Sequence, residues 1–303
     1  MQPLTRLPIL PSRHPLQGQW ELTCRCNLRC VMCYTDCFNH PEHIRQELST
    51  QEILHIMDEL IEAGCLELCL TGGEPLSRPD FFAIYEQAIS NGLLVTLFTN
   101  GTLITEAVAD RLASHPPKQI EISVHGATEQ TFERVTQGRG SYRRVQEAIG
   151  LLRARQLPLT LKTTAMTINK EDVLSIKRTV QSMGSVAYNL GDEMRPALDG
   201  SLAPLELGLS TDERSLLFQD DRELWNELCA RDTTPATPCR SGEHRFHIDA
   251  YGMLQLCSGN RQQGYDLRKG SFREGFYHHL PTFPCRWKAT PLPQMPNPAT
   301  SYA

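Results

Sequence analysis

The chain lacks any long hydrophobic run. Its N-terminus, MQPLTRLPILPSRHP, is broken by prolines before a signal-peptide core of about seven apolar residues can form, and no stretch approaches the length of a membrane span. It also lacks a basic surplus. Thirty Lys and Arg face 35 Asp and Glu, the formal net charge is −5 and the pI is near 6.1, which leaves no electrostatic footprint for nucleic acid. A cytoplasmic protein with neither membrane nor nucleic-acid partners is expected, and its eleven cysteines are read as reduced thiols rather than disulfides. The 303 residues accommodate one large domain and a small appendage.

From Gln19 to about residue 190, short β-rich apolar runs alternate with helical periodicity, the pattern of repeated βα units around a parallel sheet. Six such units predict an α/β fold, a partial (β/α)6 TIM-like barrel. Strands are expected at Gln19–Thr23, Leu66–Leu70, Leu94–Phe98, Gln119–Val124, Leu159–Thr164 and Val186–Leu190. The first long helix begins at a capping box, Ser49-Thr-Gln-Glu52, carries Ile53, Met57, Leu60 and Ile61 on one face and ends at Gly64. Ligands of parallel α/β folds gather at the carboxyl ends of strands, so the residues just after each run are the informative ones.

After the first run comes Cys26-Asn-Leu-Arg-Cys30-Val-Met-Cys33, followed by Tyr34. Three thiolates at this spacing suit three irons of a four-iron cube, leaving the fourth iron free to chelate a small molecule. After the second run comes Thr71-Gly72-Gly73-Glu74-Pro75, whose glycines permit close backbone approach and open hydrogen-bonding groups to a ligand, while Glu74 can grip an ammonium. Thr99-Asn100-Gly101 and Ser123-Val-His125-Gly126 end the third and fourth runs and offer small polar groups for sugar hydroxyls. His125 is read as a turn residue with a minor catalytic possibility. Asp192 and Glu193 follow the sixth run; each is a candidate general base or, alternatively, a capped turn or solvated carboxylate.

The cysteine run together with Gly72-Gly73-Glu74-Pro75 resembles the radical S-adenosylmethionine superfamily over about residues 17–200. The resemblance implies that Cys26, Cys30 and Cys33 hold a [4Fe-4S] cluster whose open iron takes the methionyl amino and carboxylate groups of S-adenosylmethionine. One electron then cleaves the sulfonium and yields a 5′-deoxyadenosyl radical that abstracts hydrogen from substrate. It also places Glu74 and the Gly72-Gly73 backbone at the methionyl ammonium, Ser123 at the ribose, Tyr34 by the adenine and Arg134 at the methionyl carboxylate.

Beyond a polar helical linker at 201–228, with a helix from Thr211 to Leu228, the segment 229–303 carries Cys229, Cys239, Cys257 and Cys285 and two β-like runs flanking Tyr251-Gly252. The runs predict a hairpin that brings Cys239 and Cys257 together. The segment resembles the Twitch and SPASM extensions, and Gly252-x4-Cys257 is its most telling element. The later C-x2-C-x5-C of full SPASM modules is missing, so one auxiliary [4Fe-4S] cluster is expected in a small iron–sulfur module, on Cys239, Cys257 and Cys285 with Cys229 as fourth ligand or an open iron. A structural zinc ribbon is the alternative. Cys65 and Cys69 are read as core thiols, Cys24 and Cys37 as non-ligating.

Enzymes with such extensions include many that modify ribosomally made precursor peptides, and the segments 126–142 and 195–201 resemble those maturases. The expected reaction is a crosslink, epimerisation or backbone excision on a precursor peptide. The alternatives are dehydrogenation of a small molecule such as an aminocyclitol, sulfatase-maturase-like oxidation of a protein residue, and a noncatalytic metal-binding role. Only about sixteen residues precede the first strand, so a separate leader-recognition protein is expected, with a flavodoxin or ferredoxin as reductant.

Overall fold

The computed structural model describes residues 13–219, 221 and 241–285. Nine strands form one sheet in the order β6-β5-β4-β3-β2-β1-β7-β8-β9. They are β1 (Gln17–Thr23), β2 (Glu67–Gly72), β3 (Leu94–Thr99), β4 (Gln119–Ser123), β5 (Leu159–Thr164), β6 (Ala187–Gly191), β7 (Arg245–Ile248), β8 (Met253–Gln255) and β9 (Tyr265–Asp266). The first six are parallel neighbours in chain order, and each lies within about two residues of its expected span.

The helices are α1 (Pro41–Ile44), α2 (Thr50–Glu62), α3 (Phe81–Ser90), α4 (Glu106–Ser114), α5 (Glu129–Thr136), α6 (Ser141–Ala154), α7 (Lys170–Ser182) and α8 (Thr211–Gln219). The α2 capping box is present in full: the Ser49 side chain accepts from the Glu52 amide at 3.3 Å, and the Ser49 amide donates to Glu52 at 2.7 Å. At its other end the Gly64 and Cys65 amides donate to the Ile61 and Leu60 carbonyls, closing the last turn. The expected helix from Thr211 to Leu228 is seen as α8 up to Gln219; its remainder lies outside the described residues, apart from Asp221. No described helix is long and apolar enough to cross a membrane.

Strand periodicity sorts the barrel into two faces. Trp20, Leu22, Leu68, Leu70, Val95, Leu97, Ile120 and Ile122 pack outward in one hydrophobic core with Ile53, Met57 and Leu60 of α2, Ile84 of α3 and Val145 and Ile149 of α6. The alternate positions face inward and are polar: Glu21, Cys69, Thr71, Glu121 and Lys162. Cys65 is buried as a core thiol, but Cys69 is only half-buried on the inner face, because a one-residue alternation puts it opposite Leu68 and Leu70.

The expected C-terminal hairpin is present, Ile248 pairing with Leu254 across the Tyr251-Gly252 turn. It does not stand apart as its own sheet. Strand β7 lies parallel to β1, from Gln17 opposite Arg245 to Trp20 opposite Ile248, so the C-terminal strands continue the barrel sheet. Gly18 explains the fit. A Cβ there would meet the Phe246 ring at 2.5 Å, and that ring packs on Phe272 and Phe276 at centroid distances of 4.9 and 6.1 Å.

Candidate active site

The cysteine loop leaves β1 at Thr23, where the β1–β2 register shifts, and is fastened on two sides by main chain and further by side chains. The Gly73 amide donates to the Thr23 carbonyl and the Glu74 amide to the Arg25 carbonyl, each at 2.7 Å. On the far side the Arg29 and Val31 amides donate to the Thr136 and Val135 carbonyls at the end of α5, at 3.1 and 2.9 Å. Asn39 clamps Cys26 from both directions, accepting from its amide and donating to its carbonyl. Glu47 accepts from the Thr23 hydroxyl and the Cys24 amide. Arg78 donates to the Leu22 and Leu48 carbonyls and pairs with Asp80.

This geometry revises the reading of the glycine pair. Their close approach is to the cysteine loop: a Cβ on Gly72 would lie 2.2 Å from the Thr23 carbonyl oxygen, and one on Gly73 would lie 2.4 Å from that of Arg25. The Gly73 and Glu74 amides are spent on this contact. Glu74 is fully buried, accepting from the Thr99 hydroxyl at 2.8 Å, the Leu76 amide at 3.1 Å and the Asn100 amide at 2.6 Å. Burial pushes its carboxyl up to about 7 against the pull of those three donors.

Asn100 approaches the cluster loop directly. Its side-chain amide donates toward Cys26 Sγ at 3.8 Å and to Asn27 at 2.9 Å, while its oxygen accepts from Thr102. The Leu28 amide donates to Cys26 Sγ at 3.4 Å, and Cys33 Sγ lies 3.4 Å from the Thr35 hydroxyl. Burial pushes Cys26 up to about 11, and Cys30 and Cys33 upward too, with Cys33 adding repulsion at Cys26 and both Cys26 and Cys33 adding it at Cys30. Three mutually repelling thiolates in a desolvated loop need bound positive charge, which irons supply. Among the described residues no three His, Cys, Asp or Glu side chains converge on a single ion, and a cube taking one thiolate per iron needs no such convergence. The donor set thus fits an iron–sulfur cube.

The other expected contacts are distributed differently. Tyr34 turns its hydroxyl to Glu21 at 3.1 Å, and the Arg261 guanidinium lies over its ring at 5.5 Å. Ser123 sits half-buried at the end of β4, in register with Lys162. Arg134 is exposed and donates to the Ile168 carbonyl. Asp192 is paired with Arg214 at 2.8 Å and Glu193 with Arg195 at 3.5 Å. His125 is buried, its Nδ1 3.4 Å from the Thr164 amide, and desolvation lowers it to about 4. Cys24 is buried with the Tyr251 hydroxyl 3.7 Å from its sulfur, and Cys37 lies 3.7 Å from the Tyr34 carbonyl.

In the C-terminal segment, Asn260 links the Cys257 turn to the Pro284-Cys285 segment. The Asn260 amide donates to the Cys257 carbonyl at 3.1 Å, and the Asn260 side chain to the Pro284 carbonyl at 2.8 Å. Cys229 and Cys239 lie outside the described residues.

The Radical SAM superfamily model matches residues 20–181. The chain belongs to that superfamily. Membership carries with it a [4Fe-4S] cluster and S-adenosylmethionine, and Cys26, Cys30 and Cys33 are the residues here that fit them. Among curated proteins, the chain is similar to an AdoMet-dependent heme synthase of Methanosarcina barkeri, 34% identical over 171 residues, covering 56% of this chain and 48% of the relative. It is also similar to a PqqA peptide cyclase of Granulibacter bethesdensis, 30% identical over 206 residues, 64% of this chain and 54% of the relative. The chain thus spans about half the length of these curated relatives. The fold matches Streptococcus suis SuiB bound to S-adenosylmethionine with a TM-score of 0.70 at 13% identity, over 88% of this chain and 66% of that one.

Sequence reasoning missed Glu21, His247 and Arg261, which the fold buries together. An acid between Trp20 and Leu22 in the first strand was the available signal for Glu21. Nothing local marks the other two.

Proposed function

We propose that this chain is a radical S-adenosylmethionine enzyme that modifies a ribosomally made precursor peptide. The observation that carries the reading is the cysteine loop locked by main chain over the carboxyl ends of β1 and β2, above a polar inner barrel face. A PqqA peptide cyclase among the relatives, and a solved structure of SuiB bound to precursor peptide SuiA, support a peptide as substrate class. A heme synthase relative supports a small molecule as the second reading.

The bound cluster and S-adenosylmethionine supply a 5′-deoxyadenosyl radical; the protein's part is orientation and exclusion of water. Cys26, Cys30 and Cys33 hold the cluster. Asn100 and the Leu28 amide direct hydrogen bonds at Cys26 sulfur, which favours the reduced, more negative cluster. Glu74 Oε2, accepting from the Asn100 amide, keeps a lone pair for the methionyl ammonium, and Ser123 and Arg134 serve ribose and carboxylate. Tyr34 would lie by the adenine, its hydroxyl being held by Glu21. Asp192 or Glu193 acts as general base after giving up its arginine. Cys257 and Cys285, with Cys239 and Cys229, hold one auxiliary cluster. A flavodoxin or ferredoxin delivers electrons, and a separate protein presents the leader peptide.

The test is iron and sulfide content of anaerobically reconstituted protein beside a Cys26/Cys30/Cys33 triple alanine variant. Roughly eight irons falling to roughly four are expected; four falling to none would remove the auxiliary cluster. Deuterium transfer from labelled peptide to 5′-deoxyadenosine identifies the substrate class, and its absence, with stimulation by a porphyrin instead, would transfer the assignment to a small molecule.

A further inference from the structure

Where the cysteine loop, the C-terminal turn and strand β7 meet, one carboxylate is buried in a cage of polar groups. Glu21, 1% exposed, lies on the inner face of β1. Both guanidinium nitrogens of Arg261 bind it, Nη1 to Oε2 at 2.8 Å and Nη2 to Oε1. The Tyr34 hydroxyl donates to Oε1 at 3.1 Å, and Nε2 of the fully buried His247 lies 3.5 Å from the same oxygen. His247 Nδ1 in turn is 3.0 Å from Gln255.

The chain positions of these groups matter more than their number. Tyr34 directly follows Cys33, whereas Arg261 stands four residues after Cys257 and closes that turn on itself by donating from Nε to the Ser258 carbonyl at 2.9 Å. The loop after β6 touches both sides of the junction, the Leu198 amide donating to the Tyr34 carbonyl at 2.9 Å and Arg195 to the Ser258 hydroxyl at 3.3 Å. A buried ion pair adds little net stability over an apolar substitute, while a bidentate guanidinium fixes distance and orientation on both sides.

We infer that Arg261 is a positioning residue that fastens the Cys257 turn to the cluster loop through Glu21 and Tyr34, holding the two cysteine sites at a fixed separation across the inner barrel face. Its electronic consequence, magnetic coupling between two clusters, rests on the auxiliary-cluster reading above; the fastening itself does not.

The experiment compares the full-length wild type with Arg261→Gln, Arg261→Lys and the double variant Glu21→Gln/Arg261→Gln, which removes both buried charges. Amide hydrogen exchange of the apoproteins is followed at residues 34–37, 257–262 and, as a control, β4 and β5. Exchange about tenfold faster at both loops together, with β4 and β5 unchanged, is expected in Arg261→Gln and in the double variant, and a smaller change in Arg261→Lys, which keeps charge but loses the fork. Loops that keep wild-type protection in the double variant, or only one loop loosening, would overturn the inference. In reconstituted protein, microwave-power saturation of the reduced Cys26/Cys30/Cys33 cluster reads the coupling. Relaxation that slows in Arg261→Gln supports a fixed separation. A wild type with four irons overturns the auxiliary cluster alone, leaving the exchange result to judge Arg261.

Discussion

The two cysteine regions are built by different means. The loop of Cys26, Cys30 and Cys33 is held chiefly by backbone amides and carbonyls of β1, the turn after β2 and the end of α5, with Asn39 and Glu47 adding side-chain clamps at its start. The turn of Cys257, closed by the Asn260 amide on the Cys257 carbonyl, is tied to its surroundings by side chains, Asn260 to the Pro284 carbonyl and Arg261 to Glu21. Main-chain fastening survives most single side-chain changes and fails where a Cβ is forced into a glycine contact. Side-chain fastening fails one residue at a time and leaves the barrel intact. The difference teaches that the first site is locked to the sheet mostly through the backbone, while the turn of the second, though it follows a strand of the same sheet, is tied across the barrel mouth by side chains.

The sharpest way to break this comparison is to remove one ligand from each. Cys30→Ala is expected to lower reductive cleavage of S-adenosylmethionine to background, since a radical cluster with two protein ligands has lost a corner. Cys285→Ala is expected to leave that cleavage measurable while lowering total iron. Both variants losing cleavage, read by 5′-deoxyadenosine formation, would show that the sites do not act separately.

How firmly the second region is attached is measured by Phe246→Ala. That ring fills the space over Gly18 and packs tilted on Phe272 and edge-on to Phe276, so truncation is expected to cost about 4 kcal/mol in urea unfolding, as other buried Phe→Ala changes do. A loss below about 1 kcal/mol would mean that β7 is not integral to the sheet. For the first region the matching change is Gly73→Ala. A Cβ 2.4 Å from the Arg25 carbonyl oxygen must displace the loop, with an expected cost of about 2 kcal/mol and reduced iron loading. Full loading in this variant would show that the cluster loop tolerates a shifted turn.

The same contrast explains what was legible in the sequence. Six strands, the α2 capping box and the three-cysteine loop are local, each written within some ten residues by period, cap or spacing, and the structure has them where expected. The hairpin around Gly252 was equally local. Its parallel docking on β1 was not, because a pairing between Gln17 and Arg245 leaves no periodic trace in either strand. Cys69 was misread by one step of alternation, which decides core against inner face. Gly72 and Gly73 signal close backbone approach without saying to what, and only the fold shows the Thr23 and Arg25 carbonyls against them. Glu21 and Arg261 lie 240 residues apart in sequence, and only the fold makes them partners.

Acid distinguishes the two sides of the barrel mouth by a smaller effect. On the side of the C-terminal turn, Glu21 is held far below the ordinary carboxylate range: burial opposes its charge, but His247 and Arg261 outweigh burial, so mild acid leaves it ionised. On the other side, His125 is buried with Nδ1 accepting from the Thr164 amide, and desolvation lowers it to about 4. The unfolded chain takes up a proton near the ordinary histidine value of about 6.5, whereas the folded protein does not until about 4. Stability from this residue is therefore complete above about 6.5 and is lost as pH falls toward 4, by about 1 kcal/mol at pH 6. His125→Gln is expected to remove that slope, so that wild type loses about 1 kcal/mol more than the variant between pH 7.5 and pH 6 in urea titrations of apoprotein. Equal slopes for the two proteins would place the acid-sensitive group elsewhere, and a shallower slope in Glu21→Gln than in His125→Gln would reverse the assignment of the two sides.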